Sequence, residues 1–321
     1  MKKIITLTLI SVAVATTATE YPFSFEHQYG TSVIEDQPQR IATIDYAGTD
    51  NILALGFQPL TSRYWFGDDP NGIWPWAQPL LTEEPGILLG DLNFEQIAST
   101  NPDVIFAIRS GITDKDYQQL SRIAPVIAVP KGYGDYELKW DERARIIGQV
   151  LNKEAETEQK ISGIKNKISS VAKAHPEWAE HDFSMATYWN GSIGVYSDSD
   201  SSVALINQLG LSIAPEVTAI SKPGEFYISI SAEHLADLDS DVLFWFADAE
   251  PLASIRALGV YDLMRAPKEG REIILKTTDR LNGAMSYGTL LSLPEAIDRL
   301  VPAIEAAIDG DPTTLANSVE N

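Results

Sequence analysis

Two glutamates stand at matching places in two similar stretches of this chain. Residues 93–106 read NFEQIASTNPDVIF and residues 231–244 read SAEHLADLDSDVLF, so Glu95 matches Glu233, Ala98 matches Ala236, Asp103 matches Asp241 and Phe106 matches Phe244. Asn93 and Ser231 are N-cap residue types. Each glutamate is therefore expected in the first turn of a helix, where the macrodipole favours a negative charge by about 0.3–1 kcal/mol. Ile97 and Ala98, like Leu235 and Ala236, are expected to face inward, and each helix to run into an Asp-Val strand. The other residues capable of chemistry are poorly placed for it. His27, His175, His181 and His234 are scattered, whereas direct metal binding needs clustered histidines and carboxylates. No G-x-S-x-G elbow, Walker loop or H-E-x-x-H is present. Glu83 and Glu84 are adjacent rather than opposed for acid–base work. A secreted hydrolase using two distant carboxylates is the one enzyme reading left open.

The bulk of the chain narrows the classes further. It has 321 residues, enough for two lobes, and 44% of them are hydrophobic, enough for a sizeable core. MKKIITLTLISVAVATTATE combines two lysines, a short apolar run and small residues at Ala13, Ala15 and Ala18. That is the pattern of a secretory signal peptide, expected over residues 1–18. The apolar run is too short to span a bilayer comfortably. The chain has no cysteine, which excludes disulfides, thiolate metal sites, a cysteine nucleophile and a lipid anchor on cysteine. An unanchored periplasmic protein is expected. The net charge of −21 repels nucleic acid and anionic membrane surfaces. An anionic ligand would need local arginines to overcome that field.

Strand-like and helix-like runs alternate along most of the sequence. RIATIDY, Phe57 to Ser62, DVIFAI and VIAVP read as strands, with helices through NILALG, from Asn93 and near Asp116 to Ile123. Thr49 is the expected cap of the first helix and Gly56 its stop. Residues 140–174 carry Ile147, Leu151, Ile161, Ile164 and Ile168 at helical spacing, with Asn152 as a candidate break and Pro176 as a stop. FSMATYW, IGVYS, DVLFWF and EIILK then read as strands, separated by helices from Ser202, Ser231 and SIRALGVYDLM. RLNGAMSYG reads as a loop before a C-terminal helix from Pro294. The expected fold class is α/β: two similar lobes with mainly parallel sheets, residues 19–139 and 177–321, joined by a single long α-helix within the connecting segment 140–176, with a cleft between the lobes.

The segments QPQRIATIDYAGTDNILALGFQPL, FGDDPNGIWPWAQ, NFEQIASTNPDVIFAIRSGITDKDYQQLSRIAPVIAVP, LGVYDLMRAPKEGREIILK and GAMSYGTLLSLPEAIDRLVPAI resemble the periplasmic iron-siderophore binding proteins of ABC importers. That resemblance implies a ferric siderophore held between two lobes, a stiff connector that limits hinge closure, and delivery to an inner-membrane permease. It also implies that one surface glutamate per lobe, Glu95 and Glu233, docks into arginine-lined pockets of the permease. No protein cofactor is implied, since the iron arrives already chelated, and a monomer is expected.

A bulky, often anionic chelate calls for aromatic walls and arginine forks, on loops after strand ends. The resulting ligand candidates are Arg63, Trp65, Trp74, Arg109, Tyr133, Trp189, Tyr227, Arg280 and Tyr287. Tyr46, Trp76, Tyr136, Tyr188 and Phe226 stand behind them as weaker candidates, and Trp245 reads as core. Three cleft arginines point to an anionic chelate such as a catecholate or citrate complex, with hydroxamates left open. Haem or cobalamin, large flat ligands carried by similar lobes, is the alternative.

Overall fold

The computed structural model describes residues 18–189, 192–222, 225–314 and 316. The expected signal peptide, apart from its last residue, lies outside these. A hairpin of β1 (Phe23–His27) and β2 (Gly30–Ile34) opens the chain. There follow β3 (Ile41–Thr43), α1 (Gly48–Ala54), β4 (Thr61–Arg63), β5 (Gly86–Leu88), α2 (Phe94–Ser99), β6 (Val104–Ala107), α3 (Asp114–Leu120) and β7 (Val126–Ala128). Strands β3, β6 and β7 form a parallel sheet in that order, and β4 and β5 form a parallel pair beside it. Next come α4 (Trp140–Val150) and α5 (Glu154–Ala174).

The second lobe comprises β8 (Asp182–Trp189), β9 (Ser192–Tyr196), α6 (Ser201–Leu209), β10 (Ser212–Ile213), α7 (Pro215–Ile220), β11 (Tyr227–Ile230), β12 (Val242–Phe246), α8 (Ala249–Arg256), β13 (Glu272–Leu275), α9 (Arg280–Tyr287) and α10 (Ser292–Ala307). Its sheet order is β11-β9-β8-β12-β13, with β10 also beside β8 and β9 and β11 antiparallel. The parallel core β8-β12-β13 repeats the topology of β3-β6-β7.

The repeated stretches show how one pattern serves both lobes. Asp103 accepts the backbone N–H groups of Gln39 and Arg40 at 2.9 and 2.8 Å, just before β3. Asp241 accepts the backbone N–H of Asp182, the first residue of β8, at 3.3 Å. Each aspartate thus pins the start of the neighbouring parallel strand. The helices before them differ. Asn93 caps α2, its side chain accepting from Gln96 N–H at 3.0 Å. Ser231 makes no such bond, and residues Ala232–Leu238 wind as a 3-10 helix rather than the expected α-helix. Ile97 and Leu235 are buried as expected, but Ala98 and Ala236 are exposed.

The connector bends where Asn152 adopts a left-handed φ of 56°, a conformation asparagine tolerates. It is therefore two helices, the longer being α5 with 21 residues. Its five expected apolar positions are all buried. They belong to one continuous core that also holds Ile41 and Phe106 of the first lobe and Phe183, Phe244 and Leu300 of the second. A shared core of this kind resists independent movement of the lobes. Two further expectations change. Thr49 does not cap α1. The chain enters α1 through Ala47 at φ 70°, and Thr49 Oγ1 instead donates to Ser62 Oγ at 2.8 Å. RLNGAMSYG is not a loop but α9, packed on α10.

Within the connector α4 packs on α5 at Gly148, where a Cβ would lie 2.1 Å from Thr157 Oγ1 of α5. Gly→Ala inside a helix ordinarily stabilises by about 0.5–1 kcal/mol. Here overpacking reverses the sign, and Gly148→Ala is expected to destabilise by about 1–3 kcal/mol, measured as a lowered urea midpoint at unchanged slope.

Candidate functional site

The parallel pairing of β3 and β6 brings their carboxyl ends side by side. The Tyr46 N–H donates to the Arg109 carbonyl at 3.0 Å, and the Arg109 N–H donates to Asp45 Oδ1 at 2.8 Å. Gly48 allows the chain to fold back here, since a Cβ would sit 2.3 Å from Thr43 Oγ1. At the end of β4, Arg63 donates to the Ser110 carbonyl at 2.7 Å and lies 4.3 Å above the Tyr46 ring. Trp65 and Phe66 follow, and the Arg109 guanidinium rests 4.8 Å over Trp65.

Tyr46, Trp65, Phe66 and Arg109 belong to one wall of a cavity of about 690 Å³. Tyr46, Trp65, Phe66, Arg109 and Tyr136 line it from the first lobe. From the second lobe come Tyr196, the segment Ser199 to Ser202, Phe226, Phe246, Thr277, and Asn282 and Ser286 of α9. Seven of the fifteen lining residues are aromatic, a composition suited to large, partly apolar ligands.

Behind the wall is a buried layer that fixes it. Trp65 stacks on Tyr287 with centroids 5.6 Å apart, and Trp74 stacks on Trp76 at 5.2 Å. Gly283 of α9 admits the Trp74 ring, which a Cβ there would meet at 2.5 Å. Polar groups tie the first lobe and connector to the link between α9 and α10. Arg109 Nη1 donates to the Ser286 carbonyl at 3.0 Å, and Arg143 Nη2 to the Gly288 carbonyl at 2.8 Å. Asp50 accepts from Thr289 Oγ1 at 2.7 Å and from Trp76 Nε1 at 2.8 Å, while Asn51 Oδ1 accepts the Leu290 N–H at 3.0 Å. Arg109 Nε is buried with no protein partner.

Of the nine ligand candidates, Trp65 and Arg109 line the cavity. So do three of the weaker ones, Tyr46, Tyr136 and Phe226. Trp74 and Tyr287 do not: both are almost fully buried beneath the aromatic wall. Arg63 lies behind Tyr46 and faces a separate hollow with Asp91 and Asp116. Arg280 is turned to Glu295 at 2.9 Å. Tyr227 lies over Gly194, edge-on to Tyr196 at 5.6 Å. Tyr133 is 43% exposed on the loop after β7 and does not reach the wall. Trp189 ends β8, and its side chain lies outside the described residues.

Reading the sequence missed Phe66, Tyr196, Phe246, Thr277, Asn282, Ser286 and the serines beside Asp200. The run SDSDSS before an apolar stretch is an N-cap signature, and it was the one local signal available for the last group.

Burial dominates the titration of the charged groups. Asp45 is pushed up to about 7 by desolvation, against the pull of the Arg109 N–H and of the Arg143, Arg109 and Arg63 guanidiniums. Desolvation likewise lifts Asp50 to about 6 and, together with repulsion from Arg109, brings Arg143 down to about 9. An unfolded aspartate titrates near pH 4. Between about pH 4 and 7 the folded protein keeps a proton on Asp45 that the unfolded chain releases, so stability falls as pH rises through this window. Asp45→Asn cannot titrate. Its unfolding free energy, from urea melts at pH 4.5 and 7.5, should lose a pH-dependent component on the order of 3 kcal/mol, with a smaller slope in the same direction remaining from Asp50. A pH profile parallel to that of the unsubstituted protein would contradict the assignment.

Comparison with known proteins places this geometry in context. The chain is 26% identical over 230 residues to the probable siderophore-binding lipoprotein YfiY of Bacillus subtilis, covering 69% of this chain and 67% of that one. It is 23% identical over 255 residues to the ferric enterobactin-binding periplasmic protein FepB of Escherichia coli, covering 74% and 79%. Two solved structures are similar in fold, each at 26% identity. One is a periplasmic solute binding protein of Mycobacterium smegmatis, with a TM-score of 0.77 over 89% of this chain and 98% of that one. The other is PiaA of Streptococcus pneumoniae in complex with ferrichrome, with a TM-score of 0.75 over 90% and 99%. Residues 41–276 match the periplasmic binding protein family profile, and the chain belongs to that family.

Proposed function

We propose that this protein captures a ferric siderophore in the cavity between its lobes and delivers it to the permease of an ABC importer. The observation that carries the reading is the 690 Å³ cavity, with seven aromatic rings on its walls and one half-buried arginine, Arg109, whose buried Nε has no protein partner. Aromatic faces and a guanidinium suit a bulky metal chelate. On this reading the iron is carried as cargo inside its chelator; among the described residues no three His, Cys, Asp or Glu side chains gather to hold a metal. The relatives support the reading: one is named for siderophore binding and another for ferric enterobactin. Trp65, Arg109, Tyr46, Tyr136 and Phe226 are the contacts we assign to the ligand. The lobes are residues 19–139 and 177–321, with 140–176 between them. The protein works as a monomer in the periplasm, and among the described residues no helix is long and apolar enough to cross a membrane.

The permease is met through Glu95 and Glu233. Both are exposed, one on each lobe, each near the start of its short helix. Exposed ion pairs are individually weak, below about 1 kcal/mol, but charges matched across an interface steer and orient a partner.

Tryptophan-fluorescence titration tests the ligand. Ferric siderophores should quench saturably, through Trp65, with dissociation constants of about 1 μM or below. Absence of quenching by every ferric chelate, or saturation by haem or cobalamin alone, would contradict the proposal. The docking role has a separate readout: Glu95→Ala with Glu233→Ala should leave chelate affinity unchanged and lower iron uptake by cells about tenfold or more. Normal uptake in the double variant would rule the docking role out.

A further inference from the structure

The cavity wall carries two opposite charges among its described residues, Arg109 from the first lobe and Asp200 from the second. The second lobe's residues outside the described set, up to 225, are Asn190, Gly191, Pro223 and Gly224, none of them ionisable. The remaining arginines of the region do not reach the wall. Arg63 is turned behind Tyr46, Arg143 is spent on the Leu138, Tyr287 and Gly288 carbonyls, and Arg280 is paired with Glu295. Asp45 sits among the buried guanidiniums.

Asp200 is fixed in place. It is the N-cap of α6, and its Oδ1 accepts the Ser202 and Val203 N–H groups at 2.8 and 3.2 Å. Burial raises the Asp200 carboxyl above the ordinary carboxylate range, and those bonds, with the Arg109 guanidinium, pull it back towards the charged form. Arg109 and Asp200 each favour the other's charged form across the cavity. The rest of the wall is uncharged: aromatic rings, the hydroxyls of Ser199, Ser201, Ser202, Ser286 and Thr277, and the Asn282 amide.

We propose, on the reading that this cavity holds a ferric siderophore, that Asp200 is a specificity-determining residue that cancels Arg109 and selects chelates of net charge near zero. Three hydroxamates, each a monoanion, neutralise Fe³⁺, whereas three catecholates, each a dianion, leave a trianion. A trianion would meet one guanidinium and one fixed carboxylate in the cleft of a protein whose net charge is already −21. A neutral tris-hydroxamate has no such conflict, and the hydroxyls and amide of the second lobe match its carbonyl and amide groups. The three-arginine argument for an anionic ligand fails because two of those side chains face elsewhere.

The test titrates the full protein with ferrichrome, a neutral tris-hydroxamate, and with ferric enterobactin, a trianionic tris-catecholate. The unsubstituted protein should bind ferrichrome at least about tenfold more tightly. Asp200→Asn removes the charge and retains an N-cap of equal quality, and should move the ratio of the two affinities about tenfold or more towards the catecholate. Asp200→Ser, a second uncharged cap, should move it the same way and guards against a fold effect peculiar to one substitution. Equal or tighter catecholate binding by the unsubstituted protein, or an unmoved ratio in both variants, overturns the role of Asp200 while leaving siderophore capture standing. Binding of neither chelate by any form overturns both.

Discussion

The structure depends on how the carboxyl end of β6 is tied down. Arg109 gives its backbone N–H to Asp45 and its guanidinium to the Ser286 carbonyl of α9, with its face over Trp65. One residue thus joins the end of β3, the wall of the cavity and the link to the second lobe. Arg143 repeats the tie from the connector to the Tyr287 and Gly288 carbonyls. Polar groups taken out of water cost stability unless they are hydrogen-bonded, and both guanidiniums meet that need with backbone carbonyls. The lobes are therefore held at the cavity floor by polar contacts and along the connector by a shared apolar core.

The matching stretches around Glu95 and Glu233 divide into two kinds of position. Asp103 and Asp241 are structural, each bonded to the start of the adjacent parallel strand. Ile97 and Leu235 are core. The glutamates are exposed in both copies, although the helices bearing them differ in winding. The local cap explains Glu95 in part, but Ser231 does not cap its own helix. Both glutamates stand in the first turn of their helices, where the helix dipole favours a negative charge whatever the cap.

The fold was legible wherever periodicity was strong. The isoleucine stripe of α5, the break at Asn152 and the Asp-Val strands follow from spacing and residue type alone. What escaped was decided by contacts between distant segments. Ala47 accepts a left-handed turn because Gly48 must pass close to Thr43. GAMSYG is helical despite its glycines because Gly283 makes room for Trp74. In the site, Arg109 and Trp65 were legible because they directly follow strands at the sheet's carboxyl edge. Arg63 and Arg280 were misplaced for the opposite reason: each turns to a partner, Ser110 or Glu295, that nothing in its own neighbourhood reveals. The second lobe's contribution, largely short polar side chains around Asp200 and α9, carries no signal beyond ordinary capping chemistry.

The central claim is that an iron chelate sits between the two lobes, held by aromatic and arginine contacts rather than by protein ligands to the metal. Diffraction from crystals grown with a bound ferric siderophore, collected at the iron absorption edge, tests it most directly. The account predicts one anomalous peak inside the cavity, with the chelator against Trp65, Tyr136 and Phe226 and an oxygen within hydrogen-bond reach of Arg109. Iron found outside the cavity, or bonded directly to protein side chains, would contradict it.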